Sequence, residues 1–219
     1  MCKTMKIAAS FLPLLLLIIS PAIAAERVGS VERIQGQATV LLAGNKNKQQ
    51  VLKQGSPVHL NDVLKTGKGA RLKIRFIDDS RVVMGEKGKL RLDELVFNSA
   101  KQTGSQKFKI WGAFRYASGL IAKTDPQAVT LTMPVATIGI RGTDFISGLY
   151  ASGMPPGQRH YGVMLISGAV SISNKQGGVV LDEPGEGTFL PEKGGKAPTK
   201  PRIWANDAMT EAFGSVSFR

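Results

Sequence analysis

The segment "ARLKIRFIDDSRVVM", Ala70–Met84, decides the fold class, because apolar and basic residues alternate in its first half. Leucine, isoleucine and phenylalanine alternate there with Arg71, Lys73 and Arg75. Successive side chains of a β-strand point to opposite faces, so this pattern predicts a strand with one buried and one basic side. The "DDS" that follows is a turn signal, and "RVVM" is a second short strand. The segment therefore predicts a β-hairpin.

The same alternation recurs along most of the chain, in short segments separated by breakers. The strand-like segments include "VERIQGQATVLLAG", "KLRLDELVF", "AVTLT", "DFISGLY", "YGVMLI" and "AVSIS". Glycine-rich or polar breakers such as "GNKNK", "KTGKG" and "NKQGG" separate them at a spacing of about ten residues. Strands and helices do not alternate along the sequence. We therefore expect an all-β fold of many short antiparallel strands, either a sandwich or jelly roll or a β-helical roll.

One spacing of apolar residues and glycine occurs twice. "VERIQGQATV", Val31–Val40, and "VMLISGAVSI", Val163–Ile172, place valine, isoleucine, glycine and two further apolar residues at the same offsets. A valine–leucine pair follows each of them, Val51–Leu52 in the first case and Val180–Leu181 in the second. The pattern favours two equivalent strand–turn–strand units. Chance is the alternative, since glycine between short strands is common.

The end of the chain has the only helix-like pattern. In "PRIWANDAMTEAFGSV", Pro201–Val216, an apolar face of a short helix could contain Ile203, Trp204, Met209 and Phe213. We expect this face to dock on the β domain or to recruit a partner.

The start of the chain has the three parts of a secretory signal peptide. Lys3 and Lys6 form a basic region, "IAASFLPLLLLIIS" is a short apolar region, and "AIAA" supplies small residues for cleavage after Ala24 or Ala25. An uncleaved anchor is the alternative, but serines and prolines interrupt the apolar run. We therefore expect a periplasmic protein, with no later segment that approaches a membrane span.

Cleavage gives the expected domain organisation and excludes cysteine chemistry. Residues 1–24 would be the signal peptide, 27–198 a β domain and 199–219 a C-terminal extension. The single cysteine, Cys2, lies before the apolar run and would leave with the signal peptide. Disulfides and thiolate catalysis are then excluded for the mature chain.

The balance of charge is strongly basic. The net charge is +13, and it falls to +11 when Lys3 and Lys6 are removed. Such a balance suggests an anionic partner, which in a bacterial envelope would be lipopolysaccharide or a teichoic or peptidoglycan-type polymer rather than nucleic acid. The positive charges do not cluster along the sequence, which favours the alternative that dispersed lysines keep a β protein soluble and protect its edges.

No set of residues has the pattern of an active site. The two histidines, His59 and His160, have no spacing that suits zinc, and the sequence contains no Gly-x-Ser-x-Gly nucleophile motif. Paired acids could suggest glycosidase carboxylates, but neighbouring residues of a strand point to opposite faces, and we expect all three pairs at turns. The pairs are Asp78–Asp79, Asp93–Glu94 and Asp182–Glu183. We predict no catalytic, cofactor-binding or metal-binding residues.

The segment "PVATIGIRGTDF", Pro134–Phe145, resembles the central motif of the FecR-domain family. Further matching segments are "VGSVERIQGQATV", "GSPVHLNDVLKTGKGARLKIRFIDDSRVVMG" and "LISGAVSISNKQGGVVLDEPGEGTFLPEKGGKAP", so the resemblance covers Val28–Pro198. It implies an exported, all-β, non-enzymatic domain. The member that gives the family its name is an inner-membrane regulator of a sigma factor, whereas here only a signal peptide precedes Val28.

A secreted FecR domain alone cannot touch a cytoplasmic sigma factor. The resemblance therefore favours a binding, regulatory or scaffolding module of the envelope, whose partner is an envelope protein or an anionic envelope polymer. The alternative is the periplasmic sensor input of an anti-sigma-type signalling system, acting through a membrane partner such as an outer-membrane receptor or a membrane kinase. An enzyme that acts on envelope polysaccharide or peptidoglycan is a remote alternative.

The central motif is interpreted as structural. Its family residues are Gly139, Arg141, Gly142, Thr143, Asp144 and Phe145. The two glycines allow the backbone to bulge, and Thr143 can form local hydrogen bonds. Arg141 is expected to be mostly buried and therefore paired, since an unpaired buried charge is costly. Its candidate partners are Asp62, Asp144 and the Asp93–Glu94 pair. The functional alternative is that Arg141 binds an anionic ligand or a partner's carboxylate.

Overall fold

The computed structural model describes residues 26–43 and 49–219. The predicted signal peptide and the breaker "GNKNK" lie outside these residues. Within them, no helix has both the length and the hydropathy that crossing a membrane would require.

The described residues form sixteen strands and two short helices, so the all-β prediction is confirmed. The first eight strands are β1 (Arg27–Gln35), β2 (Ala38–Leu41), β3 (Gln49–Val51), β4 (Pro57–His59), β5 (Val63–Thr66), β6 (Arg71–Phe76), β7 (Arg81–Met84) and β8 (Lys89–Asn98). Then come β9 (Thr103–Trp111), β10 (Phe114–Ala117), α1 (Leu120–Thr124), β11 (Val129–Met133), β12 (Ala136–Tyr150) and β13 (His160–Asn174). The chain ends with β14 (Gly177–Leu181), β15 (Glu186–Pro191), β16 (Arg202–Ile203) and α2 (Asn206–Val216).

All strands belong to one continuous sheet. Its main path runs β3-β2-β5-β8-β9-β11-β12-β10-β7-β6-β1-β4, while β13 pairs with β12, β14 and β15. Most strand pairs are antiparallel, as expected, but β9 and β11 are parallel. The reason is their connection: β10 and α1 lie between them in the chain and let it return in the same direction.

The opening hairpin is confirmed. Strands β6 and β7 pair antiparallel, with Leu72 opposite Met84 and Ile74 opposite Val82. These four side chains are fully buried, and the intervening residues face outward. The alternation therefore separates core from surface over Leu72–Phe76. The expectation that Arg71 lies on the basic outer side is wrong, because this residue is buried and donates to the carbonyl oxygens of Ala70 and Gly214.

The sheet curls over so that its buried faces share one main core. The ring of Phe108 in β9 lies 5.2 Å from that of Phe76 in β6 and 6.1 Å from that of Tyr116 in β10. Neither β6 nor β10 is hydrogen-bonded to β9, so these contacts are made across the core rather than along the sheet. When a sheet curls so that its two halves face each other, the inward side of the long strands is buried between them.

The two repeated sequence segments bend at the equivalent glycine and pair in the same way after it, but their pairings before it differ. The first unit bends between β1 and β2 at Gly36, and the second bends within β13 at Gly168; both glycines have positive φ, +71° and +85°. Before the bend, the first segment pairs with β6, and only the residues that precede it, from Arg27 to Ser30, pair with β4. The second segment pairs there with β15. The half after it pairs with the hairpin strand, β3 or β14.

The C-terminal helix covers part of the outer side of the sheet. Its buried residues recur every four positions, at Ala208, Ala212 and Val216, and they pack in a second apolar cluster. The sheet contributes Ile146, Tyr150 and Met164 to that cluster, and Trp204 joins it from the segment before the helix.

The predicted apolar face of the helix is therefore partly wrong. Trp204 is buried as expected and Met209 is half-buried, but Ile203 and Phe213 are 59% and 39% exposed. Small alanine side chains allow the helix to approach the sheet closely, and the larger Phe213 is left on the outer side.

Basic residues that are dispersed in the sequence gather in the fold. Strands β1, β6, β7 and β10 are neighbours, and their solvent-facing sides carry Arg33, Lys73, Arg75, Arg81 and Arg115. The positive charges, which do not cluster along the sequence, therefore do cluster on this surface of the fold. Pairing between strands brings together residues that lie up to 82 positions apart.

Candidate functional site

The central motif forms a bulge where β12 crosses from one part of the sheet to another. The pairing of β12 with β13 shifts between Arg141 and Asp144. Gly142 has a φ of +61°, and Gly168 opposite it has a φ of +85°. A Cβ atom on Gly168 would collide with the carbonyl oxygen of Gly142. Glycine at both positions is therefore what allows the two strands to bend together.

Thr143 ties the bulge to its neighbours through hydrogen bonds. Its hydroxyl donates to the carbonyl oxygen of Ala169 at 2.5 Å and accepts from the amide of Arg141 at 3.2 Å. Its amide donates to the hydroxyl oxygen of Ser118 at 2.6 Å, and the amide of Ser118 donates to the Thr143 carbonyl oxygen at 2.9 Å. Polar groups that the bulge removes from the strand ladder thus have partners.

Asp144 is paired, but with Arg115 of the adjacent strand β10. The guanidinium donates from Nε to Oδ1 at 2.8 Å and from Nη2 to Oδ2 at 2.6 Å. This two-pronged geometry is strong for an arginine–carboxylate pair, and the hydrogen bonds from it raise the pKa of Arg115. Beside it, Phe145 is fully buried against the rings of Phe114 and Tyr116, at centroid distances of 5.8 and 6.0 Å.

Arg141 is exposed, so the expectation that it is buried and paired is wrong. It makes no ion pair with any residue of the described ranges. The reason is the alternation of the strand: Ile138 and Ile140 point into the core, which directs Arg141 outward. Arg141 is therefore the charged side chain of the motif that has no ion-pair partner among the described residues.

The acids that were candidate partners of Arg141 have partners elsewhere. Asp62 accepts hydrogen bonds from the amides of Ala43 and His59. Arg91 and Lys109 bind Asp93, and Lys107 binds Glu94. The expectation that all acid pairs lie at turns is also wrong for Asp93–Glu94, which lies at a bulge within β8.

Arg141 lines an open groove with a volume of about 580 Å³, which we call the Arg141 groove. Two further motif residues, Gly139 and Ile140, form part of its floor. The remaining walls include Asp125, Gln127, Thr130, Ser171 and Val180. Sequence reasoning missed these wall residues because they come from separate segments, and the hydroxyl and amide groups among them have no local sequence signature.

Neither histidine belongs to a catalytic or metal-binding arrangement. His59 is half-exposed with Nδ1 3.4 Å from Asp62 Oδ2, and His160 is buried with its ring 4.1 Å from that of Phe189. Burial lowers the pKa of His160. The described part of the chain has no group of three or more histidine, cysteine or acidic side chains that could hold a metal ion.

The fold and the site together define an all-β domain with an open groove at Arg141. The described residues include no cluster of catalytic side chains. The sequence model of the family described as FecR protein matches residues 62–171, half of the chain. The chain therefore belongs to the FecR protein family. The matched region contains the bulge, Arg115 and Arg141.

Solved structures support the fold. Two crystal structures of a "putative anti-sigma factor" from Parabacteroides distasonis ATCC 8503, at 1.65 Å and 2.50 Å resolution, align with a TM-score of 0.51. The sequence identity is 11% and 10%, over 68% of this chain. The alignment covers 62% of the Parabacteroides chain, so this chain spans less than two thirds of the length of that relative.

A third structure, described as a cell surface anchoring domain, aligns over 29% of this chain and 82% of its own, at 26% identity. Its TM-score of 0.28 does not indicate a shared fold. No curated protein matches the sequence.

Proposed function

We propose that this chain is a non-enzymatic regulatory module of the bacterial envelope that binds a partner at the Arg141 groove. The observation that carries the proposal is the exposure of Arg141 within the motif of its family. Neighbouring motif residues have internal contacts that hold the bulge, whereas the guanidinium of Arg141 is presented to a groove. We infer that Gly142, Thr143, Asp144 and Phe145 hold the fold and that Arg141 serves recognition.

The chemistry of the groove suits a carboxylate or another anionic group on a partner. A guanidinium offers five N–H donors in a planar fork that matches a carboxylate. Hydroxyl groups of Thr130 and Ser171 line the same groove, and Gly139 makes room for the Ser171 hydroxyl because it has no side chain. The groove is open rather than enclosed, which suits a protruding side chain of a protein partner better than a small metabolite.

A signalling role is the favoured form of this regulation. Membership of the FecR family supports it, and the fold likeness to the Parabacteroides protein, described as an anti-sigma factor, points the same way. In this form the domain would be the periplasmic sensor input, and its partner would be an outer-membrane receptor or a membrane kinase. Scaffolding without signalling is the alternative.

Export to the periplasm is part of the proposal and rests on the N-terminal sequence. The basic region, apolar run and small residues before Ala25 are typical of a signal peptide. A domain on that side of the membrane would reach a cytoplasmic regulator only through a membrane protein, which is why we propose a membrane partner.

The test is site-specific crosslinking in cells that make the protein. A photo-crosslinking residue at Ser171, in the Arg141 groove, should give an adduct with one envelope protein. The adduct should disappear when Arg141→Glu reverses the charge. A crosslinker at Lys101, which is exposed in the turn between β8 and β9, is the matched control and should give no such adduct.

The outcomes separate the alternatives. Mass spectrometry that identifies a receptor or membrane kinase supports the sensor role, and another envelope protein supports a scaffold. The proposal is wrong if both positions give the same adducts, or if Arg141→Glu changes nothing. A hydrolytic activity that is lost on replacement of a single Asp or Glu would overturn the non-enzymatic assignment.

A further inference from the structure

A second groove lies between the basic residues of the sheet and the C-terminal end of α2. Its volume is about 510 Å³, and it shares no lining residue with the Arg141 groove. Four cations line it, one from each of the strands β1, β6, β7 and β10: Arg33, Lys73, Arg81 and Arg115. Among the described residues no acidic side chain lines the groove itself, although Glu32 and Asp144 contact three of its cations from beside it. We call it the basic groove.

Like charges face one another directly beside this groove. Arg33 of β1 is paired with Lys73 of β6, and Arg75 of β6 is paired with Arg81 of β7. Like charges directly opposite each other on one face of a sheet are destabilising. Three acids partly neutralise these cations, since Glu32 contacts Lys73 and Arg81, Asp79 pairs with Arg75, and Asp144 pairs with Arg115. Five cations therefore face three acids, and the patch keeps a positive excess that an anion can bind.

Internal acids leave much of this positive charge available. Glu32 is shared between Lys73, at 2.8 Å, and Arg81, at 3.3 Å, so one carboxylate serves two cations. Arg81 uses only Nε in this contact, which leaves both of its terminal nitrogens as donors. The guanidinium of Arg33 lies 4.5 Å above the ring of Phe218 and makes no ion pair within the described chain.

Apolar side chains form the other wall of the basic groove. Phe213, Val216 and Phe218 line it from the end of α2 and the residues that follow. Phe213 is 39% exposed although it is a large apolar residue. Aromatic side chains next to several cations are a combination that binds the surface of an anionic membrane. The aromatic side chains enter the headgroup region, and the cations bind phosphate groups.

The backbone beneath the groove argues against an extended peptide as the occupant. Strands β6 and β7 each have a paired neighbour on both sides, so their amides and carbonyls are used in the sheet. Peptides that add to a sheet need a free edge and its backbone hydrogen bonds. Recognition here is left to side-chain cations and rings, which suits phosphate groups carried by an apolar body.

We propose that the basic groove binds the phosphate headgroups of an anionic lipid surface and so holds the domain against a membrane. Arg33, Lys73 and Arg81 contact the phosphates, while Phe213 and Phe218 lie among the first carbons of the acyl chains. This contact is separate from partner binding at Arg141. It would place the domain at a membrane surface without a spanning segment.

The test is sedimentation of the mature chain with lipid vesicles. The protein should bind vesicles of phosphatidylcholine mixed with phosphatidylglycerol but not phosphatidylcholine alone, and salt should weaken the binding. The double variant Arg33→Gln/Arg81→Gln should bind about tenfold more weakly or worse, since each cation at an anionic surface contributes substantially. If the double variant fails to fold, the single variant Arg33→Gln carries the same test.

The matched control removes the same charge elsewhere on the sheet. Lys65 and Lys89 are also a like-charged cross-strand pair, and Lys89 lies 4.7 Å above the ring of Trp111 as Arg33 lies above Phe218. Lys65→Gln/Lys89→Gln should bind vesicles as the unchanged protein does. Equal losses in the two double variants would show a general effect of net charge and overturn the site.

Two further variants distinguish the occupant and the two grooves. Phe213→Ser should weaken vesicle binding at a temperature where circular dichroism shows that the variant is folded, since the exposed part of this ring is what enters the headgroup region. If Phe213→Ser has no effect and inorganic phosphate fully displaces the vesicles, the groove is a site for soluble phosphate and the lipid proposal is wrong. Arg141→Glu should leave vesicle binding intact, so failure of one proposal does not imply failure of the other.

Discussion

At the level of single residues, the central motif leaves no room for a side chain on Gly168. Gly168 has a φ of +85°, and a Cβ there would meet the carbonyl oxygen of Gly142. Gly168→Ala should therefore lower the free energy of unfolding by about 3 kcal/mol, since the left-handed conformation and the collision both oppose it. Urea denaturation measures the loss.

Gly195→Ala is the matched control for that substitution. Gly195 has nearly the same φ, +82°, but no atom lies within 4 Å of the position of its Cβ. Its replacement should cost only about 1 kcal/mol, the penalty of the backbone conformation alone. Similar losses at Gly168 and Gly195 would contradict the close approach of the two strands.

At the scale of elements, the turn between β6 and β7 contains a buried carboxyl group. Asp78 is fully buried, and its Oδ1 accepts hydrogen bonds from the amide and the hydroxyl of Ser80. Burial raises the pKa of Asp78. The folded state therefore holds this proton more tightly than the unfolded state, so the contribution to stability is full below the unfolded pKa of about 4 and is lost as pH rises through the folded pKa.

Asp78→Asn should remove this dependence on pH. The difference in unfolding free energy between the unchanged protein and the variant should shift in favour of the variant as pH rises from 4 to 7, because only the aspartate must ionise in the core. Asp79→Asn, the same change at a half-exposed neighbour, is the control. A difference that shifts the other way would show that the carboxylate, not the acid, is the form that the turn stabilises.

The segment that leads into α2 should anchor the helix through one ring. Trp204 is 3% exposed and stacks on Phe189 at 4.8 Å, whereas its neighbour Ile203 is 59% exposed. Trp204→Ala should lower the free energy of unfolding by about 3–5 kcal/mol, and Ile203→Ala should change it by less than about 0.5 kcal/mol. Equal effects of the two substitutions, measured by urea denaturation, would contradict the docked position of the helix.

At the scale of the whole molecule, period-two patterning predicted most of the fold. The hairpin of β6 and β7, the glycine bend of the two repeated segments and the helix at the end follow from local alternation, glycine spacing and a short apolar pattern. The parallel pair of β9 and β11 could not be predicted, because pairing direction depends on the path of the connection and not on either strand. Sequence also left open how the sheet curls.

The sites were less predictable than the fold. Exposure of Arg141 follows from the alternation that buries Ile138 and Ile140, so the sequence contains a signal for it. The apolar residues around Arg141 in the sequence suggest burial instead, and the alternation of faces outweighs them. The basic groove had no such signal. Arg33 and Arg115 line one groove only because β1, β6, β7 and β10 lie side by side.

The central claim is that the motif separates folding from recognition, and urea denaturation of two variants tests it most directly. Arg141→Ala should keep the free energy of unfolding within about 0.5 kcal/mol of the unchanged protein, because the side chain is exposed. Asp144→Ala should lower it by about 1 kcal/mol or more, because the pair with Arg115 is lost. A loss of several kcal/mol in Arg141→Ala would contradict the claim and return Arg141 to a structural role.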